Sequence, residues 1–108
     1  MASHLLQKAS QVRVTENKVE NFLREGVEQR GGLCLKWVSP GCAGVPDDIV
    51  LMKVRPYENP EAIFVETKAP GGKLRPAQVR CHARLRALGY RVEVLSSLPE
   101  VSFFLCSL

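Results

Sequence analysis

From Glu16 onward, Val19, Leu23 and Val27 recur at helical spacing with Phe22 beside them, and this stripe predicts an amphipathic helix. Thr15 is suited to cap its start, and acids sit near its positive end. Gly31 and Gly32 end it. Leu33 to Val38 reads as a strand, and Ser39, Pro40 and Gly41 as a turn. Asp47 to Met52 forms a second strand, with a connecting turn from Pro56 to Pro60. Ala62 to Lys68 is a third strand, β-prone through Ile63, Phe64 and Val65. Ala69, Pro70, Gly71 and Gly72 stop it. Pro76 fits the first turn of a second helix, which Gly89 closes. Val92 and Val94 alternate with polar residues in a fourth strand, Arg91 to Leu95. Ser97 and Glu100 have capping-box spacing, so a short C-terminal helix follows. The order α-β-β-β-α-β, with a last helical turn or two, predicts an α/β fold: a mixed four-stranded sheet flanked by helices.

With 108 residues the chain has room for one core, so residues 1–108 are expected to form a single domain. Residues 1–12 are polar and expected to be a flexible leading segment. A 45% hydrophobic and 24% charged composition excludes a disordered chain. The four cysteines are far apart and form no CxxC pair, which points to reduced thiols rather than a zinc site. No apolar run has the length of a signal peptide or a membrane span, so a soluble, cytoplasmic protein is expected.

Charge matters more for its distribution than for its total of +4. From Lys68 to Arg91 there are eight basic residues (Lys68, Lys73, Arg75, Arg80, Arg84, Arg86, Arg91, and His82 if protonated) and no acid. Such a stretch is either a solvated helix face or a footprint for phosphates. The latter reading makes Lys73, Arg75, Arg80 and Arg84 candidate DNA contacts. Lys36, on the first strand, is a further candidate, or else an edge lysine whose stem covers apolar surface. Trp37 reads as a core or dimer contact.

Glu66 and Lys68 are two apart on a strand, so their side chains leave one face of the sheet. Alone, the pair would read as a salt bridge at a solvent edge. Asp47 changes that, because it opens the preceding strand directly after Pro46, where a carboxylate can reach the neighbouring strand's end. Asp47, Glu66 and the Thr67 carbonyl would make an oxygen-rich site for Mg²⁺ or Mn²⁺. Lys68 could then orient an attacking water or stabilise a pentacovalent transition state. Asp48 points away from Asp47 by strand alternation and is expected to pair with an Arg. On the second helix, Leu74, Gln78, Cys81, Leu85 and Leu88 share a stripe, so Gln78 faces inward, where its amide needs a partner.

Pro46-Asp47, followed after eighteen residues by Glu66-Thr67-Lys68, resembles the PD-(D/E)XK nuclease signature. More narrowly, the chain is similar to the VRR-NUC domain, the virus-type replication-repair nuclease. The similarity runs through Gly31-Gly32, Lys36 to Gly41, Gly44 to Asp47, Phe64 to Leu74, Gln78 and Gly89, and spans about Glu16 to Ser97. The resemblance implies the PD-(D/E)XK core and a catalytic set of Asp47, Glu66, Lys68 and Gln78, with a metal-ligating glutamate from the first helix. Glu20 is the first choice for that glutamate, being deeper in the helix, and Glu16 the second. A basic residue commonly follows the motif aspartate, where this chain has Asp48.

The combined reading is a metal-dependent, structure-selective DNA endonuclease, with Mg²⁺ or Mn²⁺ as cofactor. By analogy with stand-alone relatives it resembles a Holliday-junction resolvase: a homodimer acting on branched DNA, in repair or recombination within a bacterial or phage-infected cell. The alternative is a non-catalytic DNA-binding module that retains the fold.

Overall fold

The computed structural model describes residues 13–108, so the expectation for residues 1–12 lies outside the described residues. The elements are α1 (Glu16–Gln29), β1 (Leu33–Lys36), β2 (Asp48–Leu51), β3 (Ala62–Thr67), α2 (Pro76–Ala87), β4 (Arg91–Leu95) and α3 (Leu98–Cys106). The caps act as the sequence suggests. Thr15 Oγ1 accepts the Lys18 N–H at 3.2 Å, and Ser97 Oγ accepts that of Glu100. The Glu100 carboxylate reaches back one residue further than a capping box requires, to the N–H of Ser96 at 2.6 Å.

The four strands lie in the order β1-β2-β3-β4. β1 and β2 pair antiparallel, as do β2 and β3, while β4 runs parallel to β3 after the α2 crossover. The sheet is therefore mixed, as expected. The first strand is two residues shorter than the pattern suggests. Trp37 still donates its N–H to the Asp47 carbonyl at 2.8 Å, but Val38 is exposed beyond the pairing.

Strand alternation gives the sheet two different faces. One carries Cys34, Val50, Val65 and Leu95, which close a core with Val19, Leu23 and Val27 of α1 and Val101, Phe104 and Leu105 of α3. The two helices meet at Gly26, where an added Cβ would overlap the Leu105 side chain. Burial of these apolar side chains, at about 25 cal/mol per Å², is the main force holding α1 and α3 to the sheet.

The other face is covered by α2 only on its β3–β4 side. Phe64 packs there between Trp37 and Tyr90, with ring centroids 5.1 and 5.6 Å away. The buried residues of α2 are polar, Gln78 and His82. The inward ridge thus runs through Gln78, His82 and the half-buried Leu85, one turn apart each time. Cys81 lies on its flank, and Leu88, expected on the stripe, is 74% exposed. Across β1 and β2 the same face leaves Leu33, Leu35 and Leu51 open to solvent. Among the described residues no helix is long and apolar enough to cross a membrane.

Candidate active site

The register explains how separate segments converge. Asp47 immediately precedes β2, Glu66 and Thr67 end β3, and β2 and β3 are antiparallel neighbours, so these residues share one end of the sheet. Thr67 fixes the first carboxylate: its N–H and its hydroxyl both donate to Asp47 Oδ2, at 2.9 and 3.1 Å. Glu66 is almost fully buried. Its Oε2 lies 3.9 Å from the Lys68 ammonium, and its Oε1 lies 3.7 Å from His82 Nε2. Lys68 is held in place by its N–H, which donates to the Leu95 carbonyl at 2.9 Å.

Glu16 completes the group. One carboxylate oxygen from each of Glu16, Asp47 and Glu66 lies within 4.8 Å of the others. Oxygens sharing one Mg²⁺ at ~2.1 Å are separated by roughly 3 to 4 Å, so small side-chain rotations would close this group on an ion. The donor set is all oxygen, the chemistry Mg²⁺ and Mn²⁺ select. Burial first, and then the adjoining Asp47 carboxylate, push the Glu66 carboxyl up to about 8. A carboxyl crowded in this way gains when a cation takes the place of its proton.

Glu20 is elsewhere. Its two oxygens accept from Lys36 Nζ at 2.9 and 3.1 Å on the α1 face of the sheet. Beside it lies Asp48, with no exposed surface, 3.5 Å from Arg24 Nη2. Burial and then the Glu20 carboxylate push Asp48 up to about 8. Burial alone would raise Glu20, but Asp48 and the Lys36 ammonium together hold it below the usual range. The preference for Glu20 over Glu16 is therefore corrected. Four residues along α1 is one full turn and a small rotation, enough to move Glu20 from the sheet's end to a point beneath β1 and β2. Lys36, expected at phosphates, is engaged with this glutamate. Asp48 behaves as expected, turned from Asp47 and paired with an Arg.

Gln78 is buried as expected, and its Oε1 accepts the Arg75 N–H at 2.9 Å, capping α2. It lines a cleft of about 230 Å³ with Ala43, Gly44, Arg75 and Ala77. Gly44 is required there: its φ is +85°, and an added Cβ would overlap the Ala77 carbonyl.

The basic stretch separates into three parts. His82, counted with the basic stretch only if protonated, has no exposed surface, and burial followed by Arg86 and Lys68 lowers its pKa, so it belongs to the interior. Arg86 donates to the Val92 carbonyl, and Arg91 pairs with Glu93 over the Phe104 ring. Lys73, Arg75, Arg80 and Arg84 are exposed, with no acidic partner among the described residues. The contact of His82 with Glu66 was missed by sequence reasoning, although its place one turn beyond Gln78 on the same helix face was a usable signal.

A mixed sheet that gathers carboxylates and a lysine at one end, on an α-β-β-β-α-β frame, defines a nuclease-type α/β protein. The chain belongs to the VRR-NUC domain family, whose model matches residues 4–99. It is 48% identical over 84 residues to "Putative nuclease p44" of Acyrthosiphon pisum secondary endosymbiont phage 1, covering 78% of this chain and 85% of that protein. A solved structure described as "VRR_NUC domain" superposes with a TM-score of 0.70 at 33% identity, covering 82% of this chain and 92% of the other. The protein is accordingly a hydrolytic nuclease of this family.

Proposed function

We propose that the protein is a divalent-cation-dependent, structure-selective DNA endonuclease that uses Mg²⁺ or Mn²⁺ and acts on branched DNA as a homodimer. The observation that carries this reading is the convergence of Glu16, Asp47 and Glu66 within 4.8 Å, beside Lys68. These three carboxylates would hold the ion, with the Thr67 carbonyl as a further oxygen donor. Once bound, the ion supplies positive charge to the phosphodiester and acidity to water.

The remaining work falls to the protein's own groups. Thr67 holds Asp47 through one oxygen and leaves the other free for the ion. Lys68, on the face of Glu66, orients the attacking water or stabilises charge on the pentacovalent phosphorus. Gln78 and Arg75, at the start of α2, steady the DNA backbone. Lys73, Arg80 and Arg84 supply affinity without base readout. Specificity then rests on DNA shape, which favours junctions and flaps over a recognition sequence. Leu33, Leu35 and Leu51, exposed on one sheet face, support a second copy as partner.

A panel of four-way junction, flap and linear duplex with Mg²⁺ or Mn²⁺ tests the substrate class. Faster cleavage of branched DNA is expected; equal rates on all three would remove structure selectivity. Solution mass should correspond to a dimer. Glu16→Gln should weaken Mn²⁺ binding roughly tenfold, about 1.4 kcal/mol, whereas Glu20→Gln should leave it nearly unchanged in calorimetric titration. Arg80→Ala with Arg84→Ala should weaken binding to every sequence alike. It should also flatten the plot of log affinity against log salt by about 2, checked by fluorescence anisotropy.

A further inference from the structure

The one fully buried histidine side chain among the described residues makes no hydrogen bond at either ring nitrogen. Its Nε2 lies 3.7 Å from Glu66 Oε1, which is itself buried and also lacks a hydrogen-bond partner. An isolated polar atom in such a place costs about 1–3 kcal/mol, and two facing each other are relieved together by a few tenths of an ångström of movement. The other oxygen of Glu66, Oε2, faces the Lys68 ammonium at 3.9 Å.

We infer that His82 is a positioning residue for the cation site: it donates its Nε2–H to Glu66 Oε1 and so turns the carboxylate to present Oε2 to the ion. This inference rests on the reading of Glu66 as a metal ligand. Partners of this kind behind a ligating group fix its orientation, and their loss typically costs 10–100-fold in metal affinity. The scaffold is suited to the task. His82 is one turn beyond Gln78 on the inward ridge of α2, so a single helix face reaches both the cleft lined by Gln78 and the buried oxygen of Glu66. The polar inward face of α2, with Gln78 and His82 where a packing helix would carry leucines, thereby gains a function.

Two measurements test this. Mn²⁺ titrated calorimetrically into His82→Leu should bind ~10–100-fold more weakly than to wild type, while His82→Gln, whose amide can donate to Glu66, should recover most of the loss. Thermal melts of the metal-free variants separate this effect from unfolding. Wild-type affinity in a folded His82→Leu variant would overturn the inference and leave the cation site standing. Absence of Mn²⁺ binding by wild type would instead overturn the cation site and the inference with it. Should His82→Leu not fold, nitrogen-15 spectra of Mg²⁺-loaded wild type decide the matter, since the chain has only two histidines, His4 and His82. A proton on Nε2 of His82 supports the inference, and a proton on Nδ1 alone overturns it.

Discussion

Lys68→Ala and Asp47→Asn should each lower DNA cleavage by roughly 10³-fold, equivalent to about 4 kcal/mol of transition-state stabilisation. The two losses should differ in kind. Lys68 is not part of the oxygen cluster, so its removal leaves Mn²⁺ binding intact, or slightly tighter, because a positive neighbour of Glu66 is gone. Asp47→Asn removes one of three carboxylates and should weaken ion binding and cleavage together. Calorimetric titration alongside single-turnover cleavage separates these outcomes. A Lys68→Ala variant that cuts at the wild-type rate would remove the lysine from the reaction. A variant that has lost its metal would make Lys68 a structural partner of Glu66 instead.

The second large effect concerns acidity and stability. Asp48 and Glu66 are both buried and both pushed up to about 8. Their unfolded values lie near 4, so the folded state binds protons that the unfolded chain has released. A carboxyl raised on folding stabilises fully below its unfolded pKa, and that contribution is lost as pH rises through the folded value. The metal-free protein should therefore lose stability steadily between pH 5 and pH 8, by up to about 1.4 kcal/mol per pH unit for each of the two groups. Glu20, lowered in the fold, is ionised in both states throughout this range, and its contribution is lost only in more acidic solution. Asp48→Asn removes a titrating group while keeping the side chain's shape, so its stability should fall less steeply over this range. Divalent cation should stabilise wild type most at the alkaline end, where Glu66 no longer holds a proton against it. Urea denaturation at several pH values, with and without Mg²⁺, reads out each of these. A stability that climbs from pH 5 to pH 8.5 without metal would contradict the burial argument.

Periodicity was enough to read the architecture. The Val19, Leu23 and Val27 stripe, the β-branched run before Glu66 and the Gly and Pro stops placed every element to within a few residues. The two-residue period also put Glu66 and Lys68 on one face and turned Asp48 from Asp47, because alternation along a strand is fixed by backbone geometry. Helix faces were less legible. Glu16 and Glu20 are one turn apart and differ by a small rotation, and which of them reaches the sheet's end depends on how α1 lies across β1 and β2. One contact that positions α1 is its close approach to α3 at Gly26, and the partner there, Leu105, is too distant in sequence for the local pattern to show. Preferring the deeper residue was a sound rule for burial and the wrong rule for this site: Glu20 is the more buried, and it is buried against Lys36. His82 was obscured by its neighbours. Among so many arginines it reads as one more cation, and only the packing of α2 on β3 reveals that it faces Glu66.

The cation requirement is tested most directly by cleavage of a four-way junction across a titration of Mg²⁺, with a chelated control. The carboxylate cluster leads us to expect no cutting in chelator and a saturable rise in rate as Mg²⁺ is restored, with Mn²⁺ able to replace it. Cutting that persists in chelator, or no cutting at any concentration of either ion, would contradict a nuclease built on Glu16, Asp47 and Glu66.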